Sequence, residues 1–225
     1  MKKELLFTDN SPGHGTVVLN WHGVPEAEFK YFAEAFHRCA QDSVKVLAKE
    51  QHFGLDGCPL EDFRAYPVVF LYRHALELFM KAAIFIGSPM LAMKGYPITD
   101  KGRLLKEHSL EVLRQDIERL FTAYGWKWDL GIANFKTVDD FRKVIGEIQA
   151  IDSGSYAFRY PVDTKGCAAL PSGFRFNLFE FSAVLDRLLL AFGSLASAAH
   201  EELQTSQEAM AEASQCRREN SDGEM

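Results

Sequence analysis

The sequence predicts an all-α protein: a helical bundle of about five helices, with a small N-terminal strand or hairpin arm and a short β-like flap before the last helix. Three observations lead there. Residues 66–87, YPVVFLYRHALELFMKAAIFIG, form an apolar rod broken by Arg73, His74, Glu77 and Lys81. Several other stretches repeat apolar residues at the i, i+3, i+4 spacing of a core-facing helix. The segment 178–195 is almost continuously apolar, so a helix there must be buried along much of its length.

Residues 1–24 carry the breaker cluster SPGHG and then the β-prone run TVVLNW at 16–21, which suggests a small arm packed on the body by Trp21. Pro25 suits a first helical turn, with Glu26 and Glu28 at the positive end of the helix dipole. That helix is expected to reach about Glu50, with Phe29, Phe32, Ala33, Phe36, Ala40, Val44 and Leu47 turned inward. The Gly- and Pro-containing segment 52–60 closes an αα-hairpin onto the apolar rod, whose helix begins near Asp62. Residues 87–102, GSPMLAMKGYPITDKG, read as a second loop. A third helix starts at Glu107–Ser109 and runs to Tyr124, and Thr137 with Asp140 caps a fourth that ends near Ile151. Aromatic alternation in 155–163 and 172–176, around the turn region 164–171, suggests a flap of two short strands. Asn177 with Glu180 caps the last helix. The domain reading is an arm at 1–24, a bundle at 25–203 and an acidic tail at 204–225 expected to be disordered.

The formal charge of −6 belongs mostly to that tail. Residues 201–225 hold seven acids against Arg217 and Arg218, a local −5, which leaves residues 1–200 at −1. A body so near neutral does not present the strongly basic face of a generic nucleic-acid binder, although a local patch fits. Cys39, Cys58, Cys167 and Cys216 are scattered, with no CxxC pair and no Cys/His cluster at metal spacing, so reduced thiols and no metal or cofactor are expected. MKKELLF lacks the apolar core of a secretory signal, and a membrane span at 67–86 would carry Arg, Glu and Lys near its middle. The expectation is a cytoplasmic protein with no membrane partner.

On a helix Arg73, His74, Glu77 and Lys81 fall inside one wedge of about 100°. Burial of such a seam costs several kcal/mol unless its charges are paired. Glu77 can pair with both Arg73 and Lys81, each four residues away. The seam is then either a buried ion-pair network that sets helix register, or a groove in which Arg73 and His74 meet an anionic ligand. Arg103 and His108, in a locally basic segment with Lys94, Lys101 and Lys106, form a second candidate. On one regular helix they would point about 140° apart, so they converge only if Arg103 lies in a loop and His108 in the first helical turn. Their chemistry would be metal-independent RNA cleavage, with His108 as acid or base and Arg103 stabilising phosphorane charge. The plain alternative is a solvated arginine and a helix-start histidine. Arg159, Tyr160 and Arg175 sit among flap aromatics, where they serve either cation–π packing or base stacking with Arg at phosphate.

The combination of LYRHALELFMKAAI at 71–84, KEHSLEVL at 106–113 and IDSGSYAFRYPVD at 151–163 resembles the HEPN superfamily, including bacterial members from mobile and defence loci. The resemblance spans roughly residues 28–195 and places Glu77 and Lys81 at the family's E-x-x-x-K positions. It implies an all-α bundle that forms a homodimer. In active members it implies a metal-independent endoribonuclease with an Arg, four to six residues, His motif, a spacing that Arg103 and His108 share. RNA and an antitoxin or defence-system protein are the implied partners. The same resemblance admits a non-catalytic module that binds a partner protein or a nucleotide.

Overall fold

The computed structural model describes residues 25–54, 59–98, 100–129 and 135–222, together with His14, Val17 and Gly131. The helices are α1 (Pro25–Leu47), α2 (Pro59–Asp62), α3 (Ala65–Met93), α4 (Lys101–Lys106), α5 (Leu110–Tyr124), α6 (Val138–Ile151) and α7 (Leu178–Asp222). The expected strand at 16–21 lies outside the described residues except for Val17, which belongs to no regular element.

Helix α3 is the axis of the bundle. It packs on α1, α7 and α5, while α6 lies on α5 and α1 on α7. Tyr72, Ala75, Leu76, Met80, Ala82, Ala83 and Ile84 of α3 have no accessible surface, because neighbours cover it on every side. By length and hydropathy this helix could cross a bilayer, but 78% of its most apolar window is covered by the rest of the protein. Arg64 anchors its start, pairing with Glu50 after α1 and Glu61 in α2.

The helix starts follow the capping chemistry of the sequence. Ser109 Oγ accepts from Val112 N, and Asn177 Oδ1 accepts from Phe179 N and Glu180 N. Thr137 and Asp140 form a reciprocal capping box. The α5 stripe of Leu110, Leu113, Ile117, Leu120 and Phe121 is buried as its spacing predicts.

Four expectations need correction. Helix α3 does not stop at Gly87 but continues through Pro89 to Met93. Gly87 is instead a packing residue, since an added Cβ would lie 2.4 Å from Leu120 Cδ2 on α5. Ser88 Oγ donates 2.6 Å to Ile84 O, so its buried hydroxyl is satisfied within the helix. On α1 the buried line is Ala33, His37, Ala40 and Leu47, and Phe32 is turned outward at 52% exposure.

The flap holds no strand among the described residues. Its only pairing there is an isolated bridge between Val162 and Ala168. Pro161 and Pro171 remove ladder donors, and Asp163 Oδ1 draws Lys165 N and Cys167 N into a tight turn. Finally, α7 runs past Gln204 to Asp222 where a disordered tail is expected. Low hydropathy suggests fraying, but the stretch after Gly193 is rich in Ala, Glu and Gln and holds no Gly or Pro before Gly223, so local helix propensity carries it on.

Candidate functional site

The seam on α3 is a closed ionic network. Arg73, Glu77 and Lys81 are each at most 2% exposed. Glu77 Oε2 accepts from Arg73 Nη1 at 3.0 Å, and Oε1 accepts from Lys81 Nζ at 2.9 Å. The fourth charge is Asp152, directly after α6 and 2% exposed. Arg73 Nε lies 3.1 Å from Asp152 Oδ2, near enough for an ion pair but off the hydrogen-bond direction. Asp152 Oδ1 in turn accepts from Tyr156 N and Ala157 N, at 2.7 and 3.1 Å, and so pins the start of the flap. Two cations and two anions cancel, which is what makes their burial tolerable. Burial pushes the Glu77 carboxyl upward, but Lys81, Arg73 and a hydrogen bond from His108 outweigh it and hold the group below the ordinary carboxylate range.

His108 is where this network reaches the surface. Its side chain is 55% exposed, and its Nδ1 lies 2.9 Å from Glu77 Oε1. An ionised carboxylate can only accept, so in the neutral ring Nδ1 carries the proton and Nε2 keeps its lone pair. Arg73 Nη2 donates 2.8 Å to the His108 carbonyl, gripping the backbone as Glu77 grips the ring. The half-exposed imidazole is therefore oriented by a buried carboxylate at one nitrogen and available at the other, as a general acid or base requires.

No hydrogen bond joins Arg103 to His108 among the described residues. Arg103 lies in helix α4, not in a loop as convergence required, and His108 lies not in the first turn of α5 but in the segment 107–109 between the two helices, where Glu107 and Ser109 are extended. Arg103 and Lys106 are exposed, and among the described residues neither side chain has an ion pair or hydrogen bond, so both are free cations in the segment leading to His108. His74, expected to share the seam, stands outside the hydrogen-bonded network. It stacks on Phe70 at 5.5 Å and meets the edge of Phe36 at 4.5 Å, and burial lowers its pKa. Arg73 and His74 therefore do not form an open anion groove.

Arg159 is exposed, with its guanidinium 5.2 Å from the Tyr156 ring, 5.7 Å from Tyr160 and 5.5 Å from Phe70. Its Nε is tied to Ser155 O, which fixes the group against the loop. Tyr156 and Tyr160 remain 44% and 50% exposed, leaving aromatic surface beside a cation. Arg175 lies apart, exposed at the mouth of a cleft of about 420 Å³ between α3, α6, α7 and the flap.

Sequence reasoning missed two groups. Asp152 is one: an acid just past a helix end, before Ser-Gly-Ser, resembles a loop residue until its partner on α3 is in place. The other is an Asp186 cluster joining α1, α3 and α7, in which Oδ1 takes His37 Nε2 at 2.7 Å, Tyr72 Oη at 2.9 Å and Gln41 Nε2 at 3.1 Å. His37, four residues after Ala33 on the buried line of α1, was the available signal. Burial and Asp186 together push the Tyr72 hydroxyl well above its usual pKa, so it stays a donor. Among the described residues no group of three or more His, Cys, Asp or Glu is arranged to hold a metal ion.

Comparison with protein-family models, curated proteins and solved structures gives no match, so the class of protein is defined here by a helical bundle and an oriented surface histidine.

Proposed function

We propose that this chain is a HEPN-like RNA-acting protein, a metal-independent endoribonuclease of a bacterial defence or toxin–antitoxin system working in the cytoplasm. The observation that carries the reading is the Glu77–His108 dyad. In it His108 Nε2 takes or gives the proton at the ribose 2′-hydroxyl or at the leaving 5′-oxygen, while Glu77 holds the tautomer. Arg103 and Lys106 supply positive charge for the scissile phosphate and its developing negative charge. Tyr156, Tyr160 and Arg159 offer a stacking and phosphate-contact surface for single-stranded RNA.

The decisive assay is cleavage of single-stranded RNA by purified protein in EDTA. Loss of a positioned proton-transfer group costs about 10² to 10⁴ in rate, and loss of an electrostatic donor about 10² to 10³. His108→Ala and Arg103→Ala should fall by these factors and keep melting temperatures within a few degrees of wild type. Wild-type rates in both variants would refute the assignment.

A second reading, a non-catalytic interaction module, is favoured by a separate observation. Phe32, Ala35, Cys39 and Val46 are exposed on α1 and fall within about 60° of one another around the helix. The long apolar face of α7 is mostly spent inside the bundle: Leu185, Leu188, Leu189 and Phe192 are each at most 2% exposed. The homodimer is better served by the α1 stripe, since antiparallel pairing centred on Cys39 sets Phe32 opposite Val46 of a second copy. Bound partner without RNA cleavage would favour this module.

A further inference from the structure

The cleft beside the flap is apolar and carries unspent charge. Its floor is Val69 and Leu185, both buried, with the seam's Arg73 at one side. Val144, Ile148 and Ile151 of α6 line it while only half-buried, unlike Phe141 and Ile145 of the same helix, which are completely covered. Those three side chains have apolar surface that no described residue closes over. At about 420 Å³ the space is within the range of small-molecule pockets.

Two features set the chemistry of an occupant. Phe158, Phe174, Phe176 and Phe181 supply four aromatic rings, with Phe176 42% exposed at the mouth. Glu147 and Glu180 are exposed at the same cleft, and neither carboxylate has an ion pair or side-chain hydrogen bond among the described residues. Arg175 is the only unpaired cation among the lining residues, because Arg73 is already neutralised by Glu77 and Asp152. The unpaired side-chain charge at the cleft is therefore −1. Backbone dipoles do not alter this balance: α6 brings its carbonyl end and α7 its N–H end to the cleft, and the two oppose each other.

We propose that this cleft binds an amphiphilic cation, a quaternary or tertiary ammonium on an apolar ring or short chain. The apolar body enters toward Val69 and Leu185. The ammonium stays at the mouth, over the negative faces of the phenylalanine rings and beside Glu147 and Glu180, the combination that favours desolvated quaternary ammonium groups. Phosphates are disfavoured by the same two carboxylates, so this cleft is distinct from the RNA surface at His108 and Tyr160. The proposal rests on the cleft alone and does not depend on RNA cleavage.

The test uses the full chain with methyl-labelled valine and leucine, titrated with benzyltrimethylammonium and, separately, with 3-phenylpropionate, which has a similar body and the opposite charge. Saturable shifts at Val69, Val144, Val184 and Leu185 are expected for the cation, with affinity at least tenfold above that for the anion. Glu147→Gln with Glu180→Gln, both at exposed positions, should weaken the cation about tenfold and lower the melting temperature by no more than a few degrees, the loss of one first-turn carboxylate on α7. Phe176→Ala should weaken it several-fold. Equal or tighter binding of the anion, an unchanged affinity in the double glutamine variant, or no saturable shift at several millimolar cation would each overturn the proposal.

Discussion

Replacing Glu77 by alanine tests whether the ionic seam holds this bundle together. The carboxylate is 1% exposed and serves three donors, Arg73, Lys81 and His108. Its removal affects them unequally. Arg73 keeps Asp152 and the His108 carbonyl, and His108 can turn to water. Among the described residues Lys81, 2% exposed, then retains only Leu105 O at 3.4 Å. An ammonium buried without a counter-charge is the main cost, and removing one partner of a buried pair costs about 3 to 5 kcal/mol. For a chain of this length each kcal/mol moves the melting temperature by about 2 to 4 °C, so Glu77→Ala should melt roughly 6 to 20 °C below wild type. The same reasoning predicts rescue: Glu77→Leu with Lys81→Met removes both members of the pair and should recover most of the loss. Calorimetric or circular-dichroism melts of the three proteins decide it. A single variant within about 2 °C of wild type, or a double variant no better than the single, would refute the account of the seam.

Three further predictions follow from separate parts of the structure. Gly87→Ala gains helix propensity but drives a methyl into Leu120, so it should destabilise by about 1 to 2 kcal/mol in a denaturant titration, and a stabilised variant would contradict the close approach of α3 and α5. His74 is held neutral chiefly by burial, with Lys81, Arg73 and Arg159 adding to the effect and Glu77 opposing it, so its contribution is complete above its unperturbed value of 6.5 and is lost as pH falls through the lower folded value. Glu77, also depressed, adds a second loss as pH falls below 4.5; denaturation midpoints should therefore decline below about pH 6.5, and His74→Phe should abolish the first part of that decline. Cys39, a free and exposed thiol on the α1 stripe, should cross-link efficiently to its copy with a short bismaleimide at tens of micromolar protein, whereas Cys167, also free and exposed, should not; equal or absent cross-linking would exclude α1 as the dimer face.

The all-α class, the central helix, the α5 stripe and the caps of α6 and α7 were legible in the sequence because each depends on residues within a few positions of one another. Apolar periodicity and capping are local properties, and Thr137 finds Asp140 wherever the helix is placed. The Glu77 pairings with Arg73 and Lys81 were legible for the same reason, since one turn of helix separates the partners. What the sequence did not contain was which surface each neighbour would cover. Gly87, Ser88 and Pro89 read as a loop because local rules penalise them in a helix, yet close approach of Leu120 makes the glycine suitable and the Ser88 hydroxyl finds its acceptor one turn back in the same helix. Phe32 matched the inward spacing of α1 as Ala33 and Ala40 did, but the position of α3 and α7 around that helix buried the two alanines together with His37 and left Phe32 outside. Asp152 and His108 acquired partners on α3 only through tertiary contact, across 79 and 31 residues of chain respectively. The orientation of the His108 ring just before α5 was decided in the same way, because the carboxylate that holds it lies on another helix.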